Sequence, residues 1–277
     1  MDLDSLKNKA AELRRLLIEV AHRTGGAYLA QALSGIDLMA AIHYRFARSD
    51  PARPDWPGRD RFLLSPGHYA LALYVILADR GYFDRESLWT FKENGSALEL
   101  ATHRGTLPGV EASGGSLGQV LSVGVGMALH ARLRQQHHRV FVMMSDGEQD
   151  EGQVWEAAAA AAHYRLSNLV AVMDCNGFQV DGPTREVLDM EPLADKYRAF
   201  GWEVEECDGN DLDAVCGALA RLCRDGRSRP GILIGRTVRG KGVSFLEGNP
   251  AFHYTRLDPA LRDQAMNDLF GADTDAV

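Results

Sequence analysis

Residues 145–184 read SDGEQDEGQVWEAAAAAAHYRLSNLVAVMDCNGFQVDGPT. Just upstream, residues 139–144 (RVFVMM) are an apolar run long enough for a buried strand. Asp146-Gly147 then reads as a turn at the carboxyl end of that strand. Residues 153–166 follow as an alanine-rich helix and residues 168–174 as a second apolar run of strand length, broken by Cys175-Asn176-Gly177. The unit is β-loop-α-β, which makes the two strands parallel and sets them side by side. Asp146 and Asn176 therefore stand at neighbouring carboxyl ends, the edge where ligands of open α/β sheets bind.

Two hard oxygen donors brought together in this way suit Mg²⁺, which takes few protein groups and completes its octahedron with water and phosphate oxygens. Each pair, Asp146-Gly147 or Asn176-Gly177, is by itself a common turn. Their placement at matched strand ends, with EGQVWEA between them, favours the metal reading. The segment resembles the thiamine diphosphate motif, a Gly-Asp-Gly triplet followed by Asn. EGQVWEA, AAAHY, NL and DGPT are similar to the transketolase family, in particular to the amino-terminal subunit of split transketolases. Ser145 stands where the family usually has Gly. The resemblance implies Asp146, Asn176 and the backbone carbonyl of Phe178 as magnesium ligands. It also implies Gly147 and Glu148 as neighbours of the cofactor.

The rest of the composition sets bounds. A chain of 277 residues is long enough for one large α/β domain with a substantial core. A formal net charge of −8 argues against a nucleic-acid partner, which calls for a basic face. No apolar run approaches the length of a membrane span. The amino terminus is charged and amphipathic, without the apolar core of a signal peptide. Cys175, Cys207, Cys216 and Cys223 form no CxxC pair, which fits reduced thiols in a cytoplasmic protein.

From the amino terminus, residues 3–23 have helical apolar spacing, and Gly25-Gly26 breaks the pattern. Residues 34–46 read as a second helix with Ser34 at its N-cap. Here the family carries a substrate-facing GHPGG segment. Ungapped alignment puts Tyr28 at the family's His, and Ala30 and Gln31 at its paired Gly positions. Sliding His22 into that place instead needs an insertion of about six residues, near the length of a whole connection. Residues 60–65 read as a strand, and Pro66-Gly67-His68 turns into a helix reaching about residue 80. His68 matches the active-site His of the family's SKGHA. Asp84 reads as the cap of a helix to residue 93.

Thr102-His103 matches the family's GHP turn. Residues 107–119 (LPGVEASGGSLGQ) resemble its TPGVEMSTGSLGQ, so Gly115, Ser116 and Leu117 are implied cofactor contacts. Gly-rich backbone leading into a helix is expected to offer N–H groups to anionic oxygens. A helix over residues 122–135 follows, with Gly124, Gly126 and Ala128 on close-packed faces and His137-His138 solvated at its exit. Beyond Asn176, residues 191–200 and 212–224 read as helices and 202–207 and 231–237 as strands. Residues 239–247 (RGKGVSFLE) resemble the family's KGKGVSFME, and His253 matches its second-half active-site His. A last helix covers residues 258–270, and residues 271–277 are expected to fray. Five strands alternating with helices predict an α/β fold with a mainly parallel sheet covered on both faces. The resemblance makes that the diphosphate-binding domain of a thiamine diphosphate-binding fold, spanning residues 1–277 as a single domain.

The resemblance also implies what is missing. In transketolases the Glu that activates the cofactor belongs to a pyrimidine-binding domain, which follows the diphosphate domain. Glu151 and Glu156 do not occupy its motif position, and Glu151 matches an acid of the interface between subunits instead. The expectation is half an enzyme, completed by a carboxy-terminal subunit in an α2β2 assembly. Its substrates are small sugars, with a two-carbon ketol unit moving from a ketose to an aldose, and Tyr28, His68, His103 and His253 form the implied catalytic set. The diphosphate-binding chain of a 2-oxo-acid decarboxylase or dehydrogenase shares the Asp-Gly to Asn motif, but residues 244–253 (SFLEGNPAFH) and 109–119 (GVEASGGSLGQ) favour transketolase. A non-catalytic paralogue is the third reading, because a fold alone does not establish activity.

Overall fold

The structure is a computed structural model in which residues 1–271 are described. Its centre is a five-stranded sheet: β1 (Arg61–Leu64), β2 (Val140–Ser145), β3 (Leu169–Cys175), β6 (Glu203–Asp208) and β7 (Gly231–Arg236). The spatial order is β1-β2-β3-β7-β6, and every pairing is parallel. The apolar runs read from the sequence are these strands, displaced by a residue or so at their ends.

Period-two alternation inside β2 and β3 divides their side chains between two cores. Phe141, Met143, Val170 and Val172 face α1 (Leu3–Arg23), α2 (Leu29–Ala41), α3 (Ala70–Asp79) and α8 (Leu212–Leu222). Val142, Met144, Ala171 and Met173 face α4 (Gln119–Leu133), α5 (Gly152–His163) and α7 (Leu193–Ala199). Both faces of the sheet are thus covered, so these strands could read as continuously apolar. On α4, Gly124 and Ala128 make the expected close approach: a Cβ at Gly124 would lie 2.6 Å from Val142. Gly126 instead has no neighbour near its missing side chain and lies on the exposed face. Helix α9 (Pro259–Phe270) packs back on α1.

Several local expectations change. Helix α2 begins at Leu29, with Tyr28 and not Ser34 at its cap, and widens into a π turn over Ile42–Phe46. Ser34 is fully buried mid-helix, where its hydroxyl has a tertiary partner and caps nothing. The segment after Asp84 is a 3₁₀ stretch, Arg85–Thr90, capped by the Asp84 carboxylate. His138 is buried, in contrast to exposed His137, because it leads directly into β2. A short hairpin with no counterpart in the sequence pattern, β4 (Phe178–Gln179) with β5 (Gly182–Pro183), follows Asn176, and a single helical turn, α6 (Thr184–Val187), comes after it. All four cysteines are free thiols. Among the described residues no helix is long and apolar enough to cross a membrane. The expected fraying beyond Gly271 lies outside the described residues.

Candidate active site

The carboxyl ends of β2, β3 and β7 enclose a pocket of about 360 Å³. Asp146 leaves β2 and Asn176 leaves β3, two strands in direct register with Ser145 opposite Asp174. The Asp146 carboxylate is 5% exposed and accepts the N–H groups of Gly177 (2.6 Å) and Gly147 (2.9 Å). Asn176 accepts from the Phe178 N–H through Oδ1 (3.0 Å) and donates from Nδ2 to Asp174 (3.1 Å). Burial, with the Asp174 charge close by, pushes the Asp146 carboxyl up to about 7.

Asp174 is the residue that sequence reasoning missed. It is fully buried and gathers four side-chain donors: Ser34 (2.5 Å), Asn176, the Tyr69 hydroxyl and the Thr237 hydroxyl. These donors come from α2, from the segment leading into α3, and from the residues just after β3 and β7, so one carboxylate ties four parts of the site together. Helix α2 can reach it because residue 35 is Gly; a Cβ there would sit 2.7 Å from the Tyr69 ring. The available signal was a lone charge inside an apolar strand, LVAVMDC.

Glu148 is also fully buried, and its carboxylate is fully engaged within the protein. It accepts from Ser65 Oγ (2.5 Å) and from the N–H groups of Gly118 (2.9 Å) and Ser145 (2.9 Å). It thereby fastens the glycine-rich loop to the ends of β1 and β2. That loop departs from the expected row of free N–H groups. Gly114 donates to Thr102 and Gly115 to the Ser65 carbonyl, while the Gly118 N–H is the one held by Glu148. Gly118 has φ +77°, and a Cβ there would lie 2.6 Å from that of Glu151. Leu117 lines the pocket, with Ser116 exposed beside it.

Three aromatic rings form the opposite wall. Tyr28 meets His68 edge-on at 4.6 Å between centroids and His253 at 5.3 Å, and the two histidines are 5.0 Å apart. Tyr28 is placed by a backbone bridge in which Ala27 and Thr255 exchange N–H···O bonds of 2.9 and 2.8 Å. Gly26, at φ +118°, leaves room for this bridge, since a Cβ there would lie 2.7 Å from the Thr255 carbonyl oxygen. His22 lies elsewhere, with Nδ1 2.9 Å from the Leu257 carbonyl oxygen, so Tyr28 is the residue that enters the pocket. Burial, the neighbouring His253 and Arg239 hold His68 down to about 4, and burial and Arg239 lower His253 as well. Both rings are neutral near pH 7. Two further residues of this wall went unassigned in the sequence: Gln31 and Arg239 each approach His253 Nδ1, at 3.1 and 3.4 Å. His103 is not brought to the pocket; it is half-exposed and paired with Glu99 at 3.3 Å.

Among the described residues, no cluster of three or more His, Cys, Asp or Glu side chains is arranged to hold a metal. The donors present at Asp146, Asn176 and Phe178 are one carboxylate, one amide oxygen and one carbonyl. This is the sparse, oxygen-only set that suits Mg²⁺ when a diphosphate supplies the remaining ligands. A buried carboxylate held near neutrality for want of a counter-charge fits the same ion.

A crevice at the carboxyl ends of an open parallel α/β sheet is where such folds bind their ligands, and comparison with known proteins identifies the family. Residues 6–275 match the family described as "Transketolase, thiamine diphosphate binding domain". The chain belongs to the transketolase family. It is 38% identical over 264 residues to a 6-deoxy-6-sulfo-D-fructose transketolase subunit of Clostridium sp. (strain MSTE9), covering 95% of this chain and 96% of that protein. It is 36% identical over 254 residues to an apulose-4-phosphate transketolase subunit of Phocaeicola vulgatus, covering 92% and 90%. The crystal structure of transketolase from Campylobacter jejuni superposes with a TM-score of 0.90 at 26% identity, covering 97% of this chain and 43% of that one. The chain therefore spans less than half of that transketolase.

Proposed function

We propose that this chain is the diphosphate-binding subunit of a split transketolase. It uses thiamine diphosphate and Mg²⁺ to move a two-carbon ketol unit from a ketose to an aldose. The observation that carries the reading is one pocket lined by Asn176, by Ser145 and Gly147 on either side of the buried Asp146, and by the imidazoles of His68 and His253. Asp146, Asn176 and the Phe178 carbonyl would hold the metal. Leu117 and Gly147, with Gly115 and Ser116 behind them, would flank the diphosphate. Bound thiamine diphosphate supplies the electron sink for breaking the bond beside a ketose carbonyl.

The protein's own groups handle the hydroxyls. A neutral imidazole offers one donor and one acceptor, so His68 can bind a sugar hydroxyl and relay its proton, while His253 binds a sugar oxygen beside it. Tyr28 adds a hydroxyl donor where the family carries a third imidazole. Glu148 acts beneath them as the fastener of the loop. The acid that activates the cofactor, and a pyrimidine-binding domain, would come from a partner chain in an α2β2 assembly. The relatives of matching length support this, since both are named as subunits. Their names also point to specialised ketoses, and this chain's rewritten segment at Tyr28, Ala30 and Gln31 is consistent with such a substrate.

The test is reconstitution with a chain carrying the pyrimidine domain, followed by ketol transfer from a panel of ketose donors including sulfonated and phosphorylated sugars. Transfer by the pair and none by the chain alone is expected. Turnover by the isolated chain, or decarboxylation of a 2-oxo acid by the pair, would overturn the reading.

A further inference from the structure

His253 stands in an arrangement that determines where its proton resides. Gln31 Nε2 lies 3.1 Å from His253 Nδ1 and 3.2 Å from the His253 carbonyl oxygen. A carbonyl oxygen can only accept, so the Gln31 amide must present its NH₂ group to this corner; flipping it would set two oxygens against each other. The same NH₂ group then faces Nδ1. Arg239 Nη2, which also can only donate, approaches that nitrogen at 3.4 Å. Two obligate donors converge on one ring nitrogen, which must be the one with the lone pair.

We infer that Gln31 is a positioning residue that locks His253 as the neutral tautomer protonated on Nε2, leaving that nitrogen as a hydrogen-bond donor. Its backbone position reinforces the assignment. Gln31 sits in the first turn of α2 and is 6% exposed, and its Oε1 has no partner among the described residues, so the amide is oriented by its donor side alone. The sequence separation between Gln31 and His253 explains why neither residue reveals the pair by motif. The groups facing His253 are His68 and Tyr28 at ring-centroid distances of 5.0 and 5.3 Å, Arg239, and the more distant carboxylate of Asp181. Of these only Asp181 favours the imidazolium; burial and Arg239 oppose it. The consequence for sugar recognition rests on the ketol-transfer reading: His253 meets a hydroxyl or carbonyl oxygen as a donor and does not accept from it. The tautomer itself follows from geometry alone.

The full chain labelled with ¹⁵N-histidine tests this by long-range ¹H–¹⁵N NMR across pH, with the His253 signals identified by their absence in His253→Asn. The expected spectrum is a single Nε2–H tautomer with a titration midpoint below the ordinary 6.5. Gln31→Glu replaces the donor with an acceptor and should transfer the proton to Nδ1, raising the midpoint by about one unit or more. Gln31→Ala, a smaller change that spares the fold, should let the Nδ1–H form appear and move the midpoint upward. An Nδ1–H tautomer in the unaltered chain, or wild-type tautomer and midpoint in Gln31→Ala, would overturn the inference. These spectra require no turnover, so a failure of the ketol-transfer reading would leave them unaffected.

Discussion

Replacing Asp146 with Asn should stabilise the metal-free chain at alkaline pH. Burial and Asp174 raise the folded carboxyl from 3.8 to about 7, a difference of about 3 units, or about 4 kcal/mol at 1.36 kcal/mol per unit. The sign follows from linkage. A carboxyl raised on folding leaves stability intact below about pH 4, and stability then falls as pH rises through about 7. An amide carries no such penalty, but it accepts through one oxygen. One of the N–H bonds from Gly147 and Gly177 is therefore lost, at about 1–3 kcal/mol. The net expectation above pH 8 is a variant more stable than the wild type by about 2 kcal/mol. At pH 4 it should be less stable, because there only the lost hydrogen bond counts. Urea denaturation of both chains in chelator at the two pH values reads the crossover. Asp37, Glu148 and Asp174 are also raised by burial, but they are present in both chains, so the difference isolates Asp146 and its coupling to Asp174. A stability difference independent of pH would refute the argument that Asp146 is a carboxylate awaiting a cation.

Other expectations can be checked in parallel. Asp174→Ala leaves the donors Ser34, Tyr69, Asn176 and Thr237 facing an empty buried site, and should cost about 3 kcal/mol or more in urea denaturation. A variant within about 0.5 kcal/mol of wild type would show that this carboxylate does not clamp the site. Gly35→Ala places a methyl group 2.7 Å from the Tyr69 ring and should cost about 1–3 kcal/mol by the same measurement, with wild-type stability as the contrary result. Tyr28→His in the reconstituted complex should change the ratio of kcat/KM between sugars while leaving thiamine diphosphate affinity as it was. Equal changes for every sugar, or loss of cofactor binding, would move Tyr28 out of substrate selection.

The parts of this protein that sequence made legible are those written in local pattern. β2 and β3 are apolar runs ending in Asp-Gly and Asn-Gly, and the crossover between them forces their ends together, so the Asp146–Asn176 pair could be placed without a structure. The turn at Gly25-Gly26 was likewise visible as a break. What was not legible depends on partners far away in the chain. Ser34 looks like a helix cap because Ser commonly is one, yet here its hydroxyl is taken by Asp174, which arrives from the centre of the sheet. Glu148 lies next to the motif and invites a cofactor role, whereas its carboxylate is taken up by Ser65 and by the N–H groups of Gly118 and Ser145. Gln31 read only as a departure from glycine, and its contact with His253 exists because the Ala27–Thr255 bridge joins the two ends of the chain.

The central claim is that Asp146 and Asn176 hold a magnesium-borne diphosphate, and calorimetric titration of thiamine diphosphate into the reconstituted complex tests it most directly. With Mg²⁺ present, the account predicts binding that weakens by about 3 kcal/mol, roughly 100-fold or more, in Asp146→Ala. Asn176→Ala should weaken it in the same direction by less, and chelation of the metal should abolish the difference between wild type and variants. Unchanged affinity in Asp146→Ala would contradict the claim.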